Sequence, residues 1–396
     1  MAPDPISVLA ELPAPRDPYP LYAQLRETSP VCWSDRIDSW VLTRYEDCLA
    51  VLRDSASFGS DWRRIGEHIP EPMLSIQSLD PPEHTGIRRL LVDAVRELDY
   101  RALEAQVAAE VRTRLARLAG QGPFDYVTEF AAPLALKTIT SVLGCPPIDP
   151  DWFLPLSQRI VDGMDAGIWP ETGEPAVAAR AELAELTGTW LDRPSASGMI
   201  SHVAATAATS GVARPVLLNS LRAVLHAGFE SAGRLLGLGL AALLAESSDS
   251  AGSAGSEGLS ALALLADSDP GPAMEEIVRF AAPVQADGRA CVAKTRLDDH
   301  GIAPGDPVTV LLGAANRDPA RFARPEKLDF TRHPNPHLGF GRGAHSCLGQ
   351  PLAVLQARIV FAAIAAEYPR VRAVSEPVCR RNLTLRGIAR YEICLN

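Results

Sequence analysis

The run Phe340-Gly341-Arg342-Gly343-Ala344-His345-Ser346-Cys347-Leu348-Gly349 sets one thiol among three glycines, just ahead of a long apolar stretch. Gly341 and Gly343 carry no Cβ, so the backbone there can turn tightly and come close to a flat ligand. From Leu348 to Glu367 the chain is dominated by Leu, Ala, Val, Ile and Phe and predicts a long buried helix. Cys347 then lies near a helix N-terminus, where free N–H groups and the macrodipole stabilise a thiolate and lower the thiol pKa. A thiolate so placed is suited to hold a metal rather than to fill a core. Nothing else of metal-ligand spacing lies nearby, which favours an iron held by one thiolate, as in haem, over a multi-ligand zinc site.

Composition bounds the rest. The 396 residues are enough for one large domain or two or three ordinary ones. A hydrophobic content of 47% with 22% charged residues is that of a soluble globular protein with a sizeable core. The net charge of −10 gives no electrostatic footprint for nucleic acid. The N-terminal residues Met1 to Ser7 hold neither a basic nor an apolar leader region, so export is not expected. No membrane span is expected either. Leu217 to Leu244 comes closest, but Arg222, His226, Glu230 and Arg234 interrupt it. Seven scattered cysteines, an odd number, point to reduced thiols in a cytoplasm.

Helical periodicity covers most of the chain: Pro20–Thr28, Tyr45–Arg53, Glu83–Ala94, Tyr100–Ala119, Phe124–Leu143, Asp151–Asp165, Pro175–Leu191 and Gly198–Thr209. Val31–Trp33 and Ser39–Thr43 flank a polar turn and predict a hairpin, and Ser57–Leu79 reads as a long irregular loop. Pro215 opens the longest helix, which runs to about Glu246 and spans roughly 45 Å. Within it lies Ala227-Gly228-Phe229-Glu230-Ser231-Ala232, where an acid and an alcohol stand side by side on an otherwise apolar element. Buried Glu and Ser need partners or a chemical task. The Ser- and Gly-rich residues 247–258 predict a flexible connection.

The cysteine run resembles the haem-binding loop of the cytochrome P450 superfamily, F-G-x-G-x-H-x-C-x-G, with Phe340, Gly341, Gly343, His345, Cys347 and Gly349 at its fixed positions. Ala227 to Ser231 is similar to the superfamily's distal pattern [AG]-G-x-[DE]-[TS]. That resemblance implies that Gly228 leaves room for oxygen above the iron, Ser231 hydrogen-bonds the distal oxygen, and Glu230 helps bring protons in. Serine stands here where threonine is usual, and Ala232 where a second hydroxyl often follows; without the methyl, the serine rotamer is less restricted. Glu276-Ile-Val-Arg279 resembles the E-x-x-R motif, with Arg332 as third member of a structural triad. On spacing alone, Glu276 and Arg279 read as a solvated surface pair. His84 and Arg88, Arg289 and His345 match propionate contacts of bacterial members.

The resemblance implies a mainly α fold with a small β region: the P450 fold, one triangular domain over residues 1–396. Haem b would lie between the long central helix and the cysteine-loop helix. The implied enzyme is a haem-thiolate monooxygenase inserting one atom of O2 into a small organic substrate, by hydroxylation, epoxidation, dealkylation or oxidative coupling, in secondary metabolism. Electrons would come from NAD(P)H through a separate ferredoxin and ferredoxin reductase, as in bacterial members without fused redox domains, and Arg88, Arg89 and Arg342 would form the ferredoxin dock. By the same analogy Trp62, Leu225, Phe229, Val284 and Ile388 line the substrate pocket, within the stretches Trp62–Leu74, Val284–Asp287 and Leu383–Ile388. Arg63, Arg64 and Arg386 are candidates to receive an anionic group. The protein is expected to be a cytoplasmic monomer that binds neither nucleic acid nor membrane. Two other readings fit the class: a haem-thiolate peroxygenase, which the Ser231-Ala232 departure favours, and a P450-like accessory protein, which Cys347 disfavours.

Overall fold

A computed structural model describes residues 4–12, 17–69, 73–251 and 261–395. Helices make up most of it, and several begin where a carboxylate caps the first turn. The Asp99 side chain accepts the Ala102 N–H at the start of Tyr100–Ala119, and Asp149 and Asp269 cap Pro150–Asp162 and Pro270–Ala281 in the same way. Tyr45–Arg53 and Tyr100–Ala119 form over the expected residues. Phe124–Leu143 is not one helix. It is a short strand at Phe124–Asp125, a π-helical turn over Val127–Ala131, and an α-helix from Ala132 to Leu143.

The expected hairpin is present, with Val31 opposite Leu42 and Ser34 opposite Ser39. It continues into a five-stranded sheet that local sequence does not announce. Ser39–Leu42 pairs in parallel with Pro307–Leu311, which pairs antiparallel with Ala286–Cys291, and that strand reaches Phe58–Gly59. The sheet encloses its own apolar cluster, with Leu42, Val310 and Cys291 fully buried.

The long helix runs from Arg214 to Ala251, 38 residues, and so reaches beyond the expected end at Glu246. The expected flexible connection therefore begins inside helix, and its residues 252–258 lie outside the described residues. Glycines fix where this helix meets its neighbours. A Cβ on Gly239 would stand 2.7 Å from Phe361 and 3.0 Å from Ile277, so the helices Gln350–Glu367 and Pro270–Ala281 cross it closely there. At Gly228 a Cβ would meet Ile139 of the helix Ala132–Leu143 at 2.5 Å. By length and composition, Arg214–Ala245 and Gln350–Glu367 are apolar enough to cross a membrane, which corrects the expectation that no segment is; here they pack against each other and line one cavity.

Candidate active site

One cavity of about 380 Å³ lies between the long helix and the cysteine loop. Gly339 to Gly341 and His345 to Gly349 line one side of it, and the helix residues Ala223, Ala227, Gly228, Ser231 and Leu235 line another. These positions recur at three- and four-residue intervals, so they form one stripe of an α-helix. Aliphatic side chains, among them Ile76, Val224, Met199 and Leu312, close the sides.

The loop geometry follows from its glycines. Gly341 and Gly343 have φ of 63° and 77°, and a Cβ on Gly343 would overlap the Leu52 carbonyl. The Cys347 N–H donates to the Phe340 carbonyl at 2.8 Å and closes the turn. Arg88 reaches across and donates to the Ser346 carbonyl at 2.8 Å and hydroxyl at 3.1 Å. Cys347 itself is exposed, and the space it faces is the cavity. The helix starts at Gln350, with Gly349 as its cap. Burial of the surroundings pushes the Cys347 thiol up, and the Gly349 and Gln350 N–H groups and Arg88 only partly offset it. The expected lowering at the helix N-terminus is therefore corrected: desolvation outweighs the dipole in the protein alone.

Behind the loop, Glu276 and Arg279 are fully buried and joined by two hydrogen bonds of 2.7 Å. Arg332 adds contacts of 3.1 and 3.2 Å to the same carboxylate, and Asn335 and the Asp329 N–H complete its shell. The spare guanidinium donors of Arg279 hold the carbonyls of Asn316, Pro325 and Lys327. A solvated surface pair is thereby excluded. The three side chains tie the helix Pro270–Ala281 to the segment leading into the cysteine loop.

On one flank the imidazoles of His84 and His345 lie against each other, centroids 4.3 Å apart and ring planes tilted by 42°. His84 is buried, its Nε2 has no partner, and burial together with His345 and Arg88 lowers its pKa to about 4. Asp80 sits beside them and accepts from His345, Arg64 and the N–H groups of Ser60 and Asp61; burial opposes ionisation, but these bonds hold the carboxyl well below its usual range. Arg289, 5% exposed at its side chain, lines the cavity and pairs with Asp287 at 2.8 Å. These groups fit the acidic edge of a haem: Arg88, Arg289 and His345 line the cavity where propionates need donors, and Cys347 opens onto the same space, while the orphaned imidazole of His84 packs behind His345 and does not itself line it.

On the distal wall the expected pair separates. Ser231 lines the cavity, and its hydroxyl donates to the Ala227 carbonyl at 2.7 Å. Glu230 does not line it. Its carboxylate accepts from Ser157 at 2.7 Å and from Arg234 at 2.8 Å, and although burial disfavours the charge, Arg234, His226 and Ser157 bring its pKa below the ordinary value. Arg234 continues to the Leu385 carbonyl and to Gln158, which also holds Arg380. Gly228 lines the cavity, yet its missing Cβ points at Ile139, so the close approach of two helices is what requires glycine there.

Of the expected substrate contacts, Val284 lines the cavity and Trp62, Leu225, Phe229 and Ile388 do not. Phe229 is turned into the core, edge-on to Phe153 at 5.0 Å; Leu225 and Ile388 are core residues; Trp62 belongs to a 3-10 turn at Trp62–Ile65. Residues 70–72 of the expected lining stretch lie outside the described residues. Residues the sequence reading missed are Asp80, Ser157 and Arg234. The signal for the last was present: Arg222, His226, Glu230 and Arg234 recur every four residues and so share one helix face.

Comparison with known proteins agrees with this geometry. The cytochrome P450 family model matches residues 272–370, which include Glu276, Arg279, Arg332 and Cys347. A vitamin D3 dihydroxylase of Streptomyces griseolus is 30% identical over 397 residues, covering 94% of this chain and 93% of that protein. Cytochrome P450 107B1 of Saccharopolyspora erythraea is 29% identical, with 96% and 95% covered. Among solved structures, CYP109E1 from Bacillus megaterium in complex with testosterone superposes with a TM-score of 0.85 at 25% identity, covering 96% of this chain and 98% of that one. With a fold, a cysteine loop and full-length relatives in agreement, the chain belongs to the cytochrome P450 family.

Proposed function

We infer that this protein is a haem-thiolate monooxygenase of secondary metabolism, and that residues 1–396 act as one domain around one cavity. The observation that carries it is a lone thiol open to an apolar cavity, opposite a helix face that bears a hydroxyl. Relatives named as vitamin D3 hydroxylases and as a polyketide biosynthesis P450 support a bulky apolar substrate.

Haem with a thiolate ligand supplies dioxygen activation, because the thiolate donates electron density that favours O–O cleavage. Cys347 would hold its iron, with Phe340, Gly341 and Gly349 forming the loop beneath it. His84, Arg88, Arg289 and His345 would hold the propionates. The aliphatic walls orient the substrate and keep bulk water away. Overall, one atom of O2 enters the substrate and the other leaves as water, with two electrons and two protons supplied. Ser231 is the hydroxyl at the cavity wall placed to pass a proton, and Glu230, the residue before it on the helix, is the acid behind it, held by Ser157 and Arg234. We assign the electrons to NAD(P)H by way of a separate ferredoxin and its reductase, and the protein to the cytoplasm as a monomer.

One observation favours direct use of peroxide as a second reading: the Ser231 hydroxyl is engaged by its own helix and Glu230 is held in an ion pair. Two measurements decide. The reduced protein with carbon monoxide should give the red-shifted Soret band of a thiolate ligand, and Cys347→Ala should lose it; a wild-type protein without that band is not a haem-thiolate enzyme. Turnover with ferredoxin, reductase and NAD(P)H should exceed turnover with hydrogen peroxide alone, and the reverse would establish the peroxide reading.

A further inference from the structure

Arg63 and Arg64, expected to meet an anionic group, are instead paired with Asp61, Glu83 and Asp80. Glu275 has a placement that neither the cavity nor the buried triad explains. It stands next to Glu276 on the helix Pro270–Ala281, and adjacent helical residues point about 100° apart. Glu276 accordingly holds Asn335 and the Asp329 N–H, ahead of the cysteine loop, whereas Glu275 reaches both ends of the loop itself.

At the leading end His337 is 1% exposed at its side chain, and both of its ring nitrogens are used. The Gly339 N–H donates to Nδ1 at 3.1 Å, so Nδ1 offers its lone pair and the ring proton sits on Nε2. Nε2 donates to the Glu275 carboxylate at 2.7 Å. The Leu338 N–H between them is held by the Asn316 side chain at 2.7 Å. At the trailing end the side-chain amide of Gln350, first residue of its helix, donates to the other Glu275 oxygen at 3.4 Å. His337 and Gln350 are thirteen residues apart and bracket Cys347. The bond from His337 foremost, with Gln350 and the Arg342 cation, holds Glu275 below its ordinary pKa against the opposing effect of burial.

These bonds lead to the sulfur's own residue. Glu275 orients His337, His337 holds the Gly339 N–H, and the next carbonyl, that of Phe340, accepts the Cys347 N–H at 2.8 Å. We propose that Glu275 and His337 are positioning residues that clasp the cysteine loop: one carboxylate ties the segment before the loop to the helix after it, and so fixes how Cys347 faces the cavity. A hydrogen bond to an ionised carboxylate is roughly twice as strong as a neutral one. A segment tied at both ends has fewer open conformations to reach. The purpose given to the clasp rests on the haem-thiolate reading, whereas its geometry does not.

The test is hydrogen–deuterium exchange of the full-length protein, haem-free and haem-loaded, read beside the carbon monoxide spectrum. In Glu275→Ala the amides from Gly339 to Gly349 should exchange about tenfold faster than in the wild type, as expected for a lost charge-assisted hydrogen bond. Those of the helix Tyr100–Ala119 should keep their rates. At equal haem content, the same variant should show a smaller share of the thiolate band with carbon monoxide. His337→Leu should reproduce both changes, and Glu275→Gln, which keeps an acceptor for one of the two donors, should show them in smaller measure. His337→Asn should restore part of the wild-type behaviour, because an asparagine side chain accepts the N–H two residues on. Loop amides that keep the wild-type rate in both Glu275→Ala and His337→Leu overturn the proposal. Faster exchange spread equally over Tyr100–Ala119 also overturns it, since the pair would then brace the whole fold. A wild type that lacks the thiolate band refutes the haem-thiolate reading, whereas a normal band with a loop indifferent to both variants refutes the clasp alone.

Discussion

The Ser231 hydroxyl donates to the carbonyl of Ala227, one turn back on its own helix, at 2.7 Å. Back-bonding of this kind fixes the serine rotamer that a missing methyl would otherwise leave free. Ser231 itself lines the cavity.

From this geometry Ser231→Ala should leave folding and haem binding unchanged and lower the product formed per NAD(P)H consumed by about tenfold or more, a positioned proton donor contributing about 10²–10⁴-fold in rate. Ser231→Thr keeps the hydroxyl and should hold coupling at or above the wild-type value. Product and peroxide measured against NAD(P)H check both; unchanged coupling in the alanine variant removes Ser231 from proton delivery.

Glu276 and Arg279 are wholly buried, so removing one charge strands the other. Glu276→Gln should destabilise the protein by about 3–5 kcal/mol. Arg279→Lys should also cost stability, because a single ammonium cannot span both carboxylate oxygens and three carbonyls. Urea unfolding of the variants gives the comparison, and a loss near zero would mean that the pair does not hold the segment behind the cysteine loop.

Gly343 combines a φ of 77° with backbone where a Cβ would go. Gly343→Ala should therefore cost about 1–3 kcal/mol from conformation alone, and more from the displaced Leu52 carbonyl. Gly349, at φ −88° and with room for a Cβ that would stand 3.9 Å from the Cys347 sulfur, should tolerate alanine far better. Thermal unfolding and haem retention of the two variants test the contrast.

His84 gives a pH dependence to the haem-free protein. Its folded pKa is about 4 against an ordinary 6.5. Between those values the unfolded chain binds a proton that the folded protein does not. Stability is therefore full above pH 6.5 and falls as the pH drops toward 4, by about 3 kcal/mol. Denaturant midpoints of wild type and His84→Gln at pH 7 and pH 4.5 report it: the wild type should lose more stability than the variant, and parallel losses would exclude His84 as the source.

Local patterns and tertiary pairings divide what the sequence shows from what it hides. Tyr100–Ala119 is legible because Asp99 caps it and its apolar residues keep helical spacing. The cysteine loop is legible because glycines at positive φ leave a mark in residue type. The central sheet is not: Trp40 pairs with Val308, and no short-range pattern reports a partner so distant. The same limit governs the site. Cys347 and Glu276–Arg279 lie in compact motifs, whereas the bonds from Ser157 and Arg234 that turn Glu230 away from the cavity depend on how helices pack.

The long helix carries two functional columns side by side. One, through Ala223, Ala227 and Ser231, faces the cavity; the other, through Arg222, His226, Glu230 and Arg234, faces the packed helices. Adjacent residues on a helix are about 100° apart. An insertion of one residue between Val224 and Glu230 would therefore carry Glu230 and Arg234 into the places of Ser231 and Leu235, setting charges against the apolar cavity. This stretch should therefore accept a change of letters more readily than a change of count, and the room for a change of length lies in the turns beyond either column.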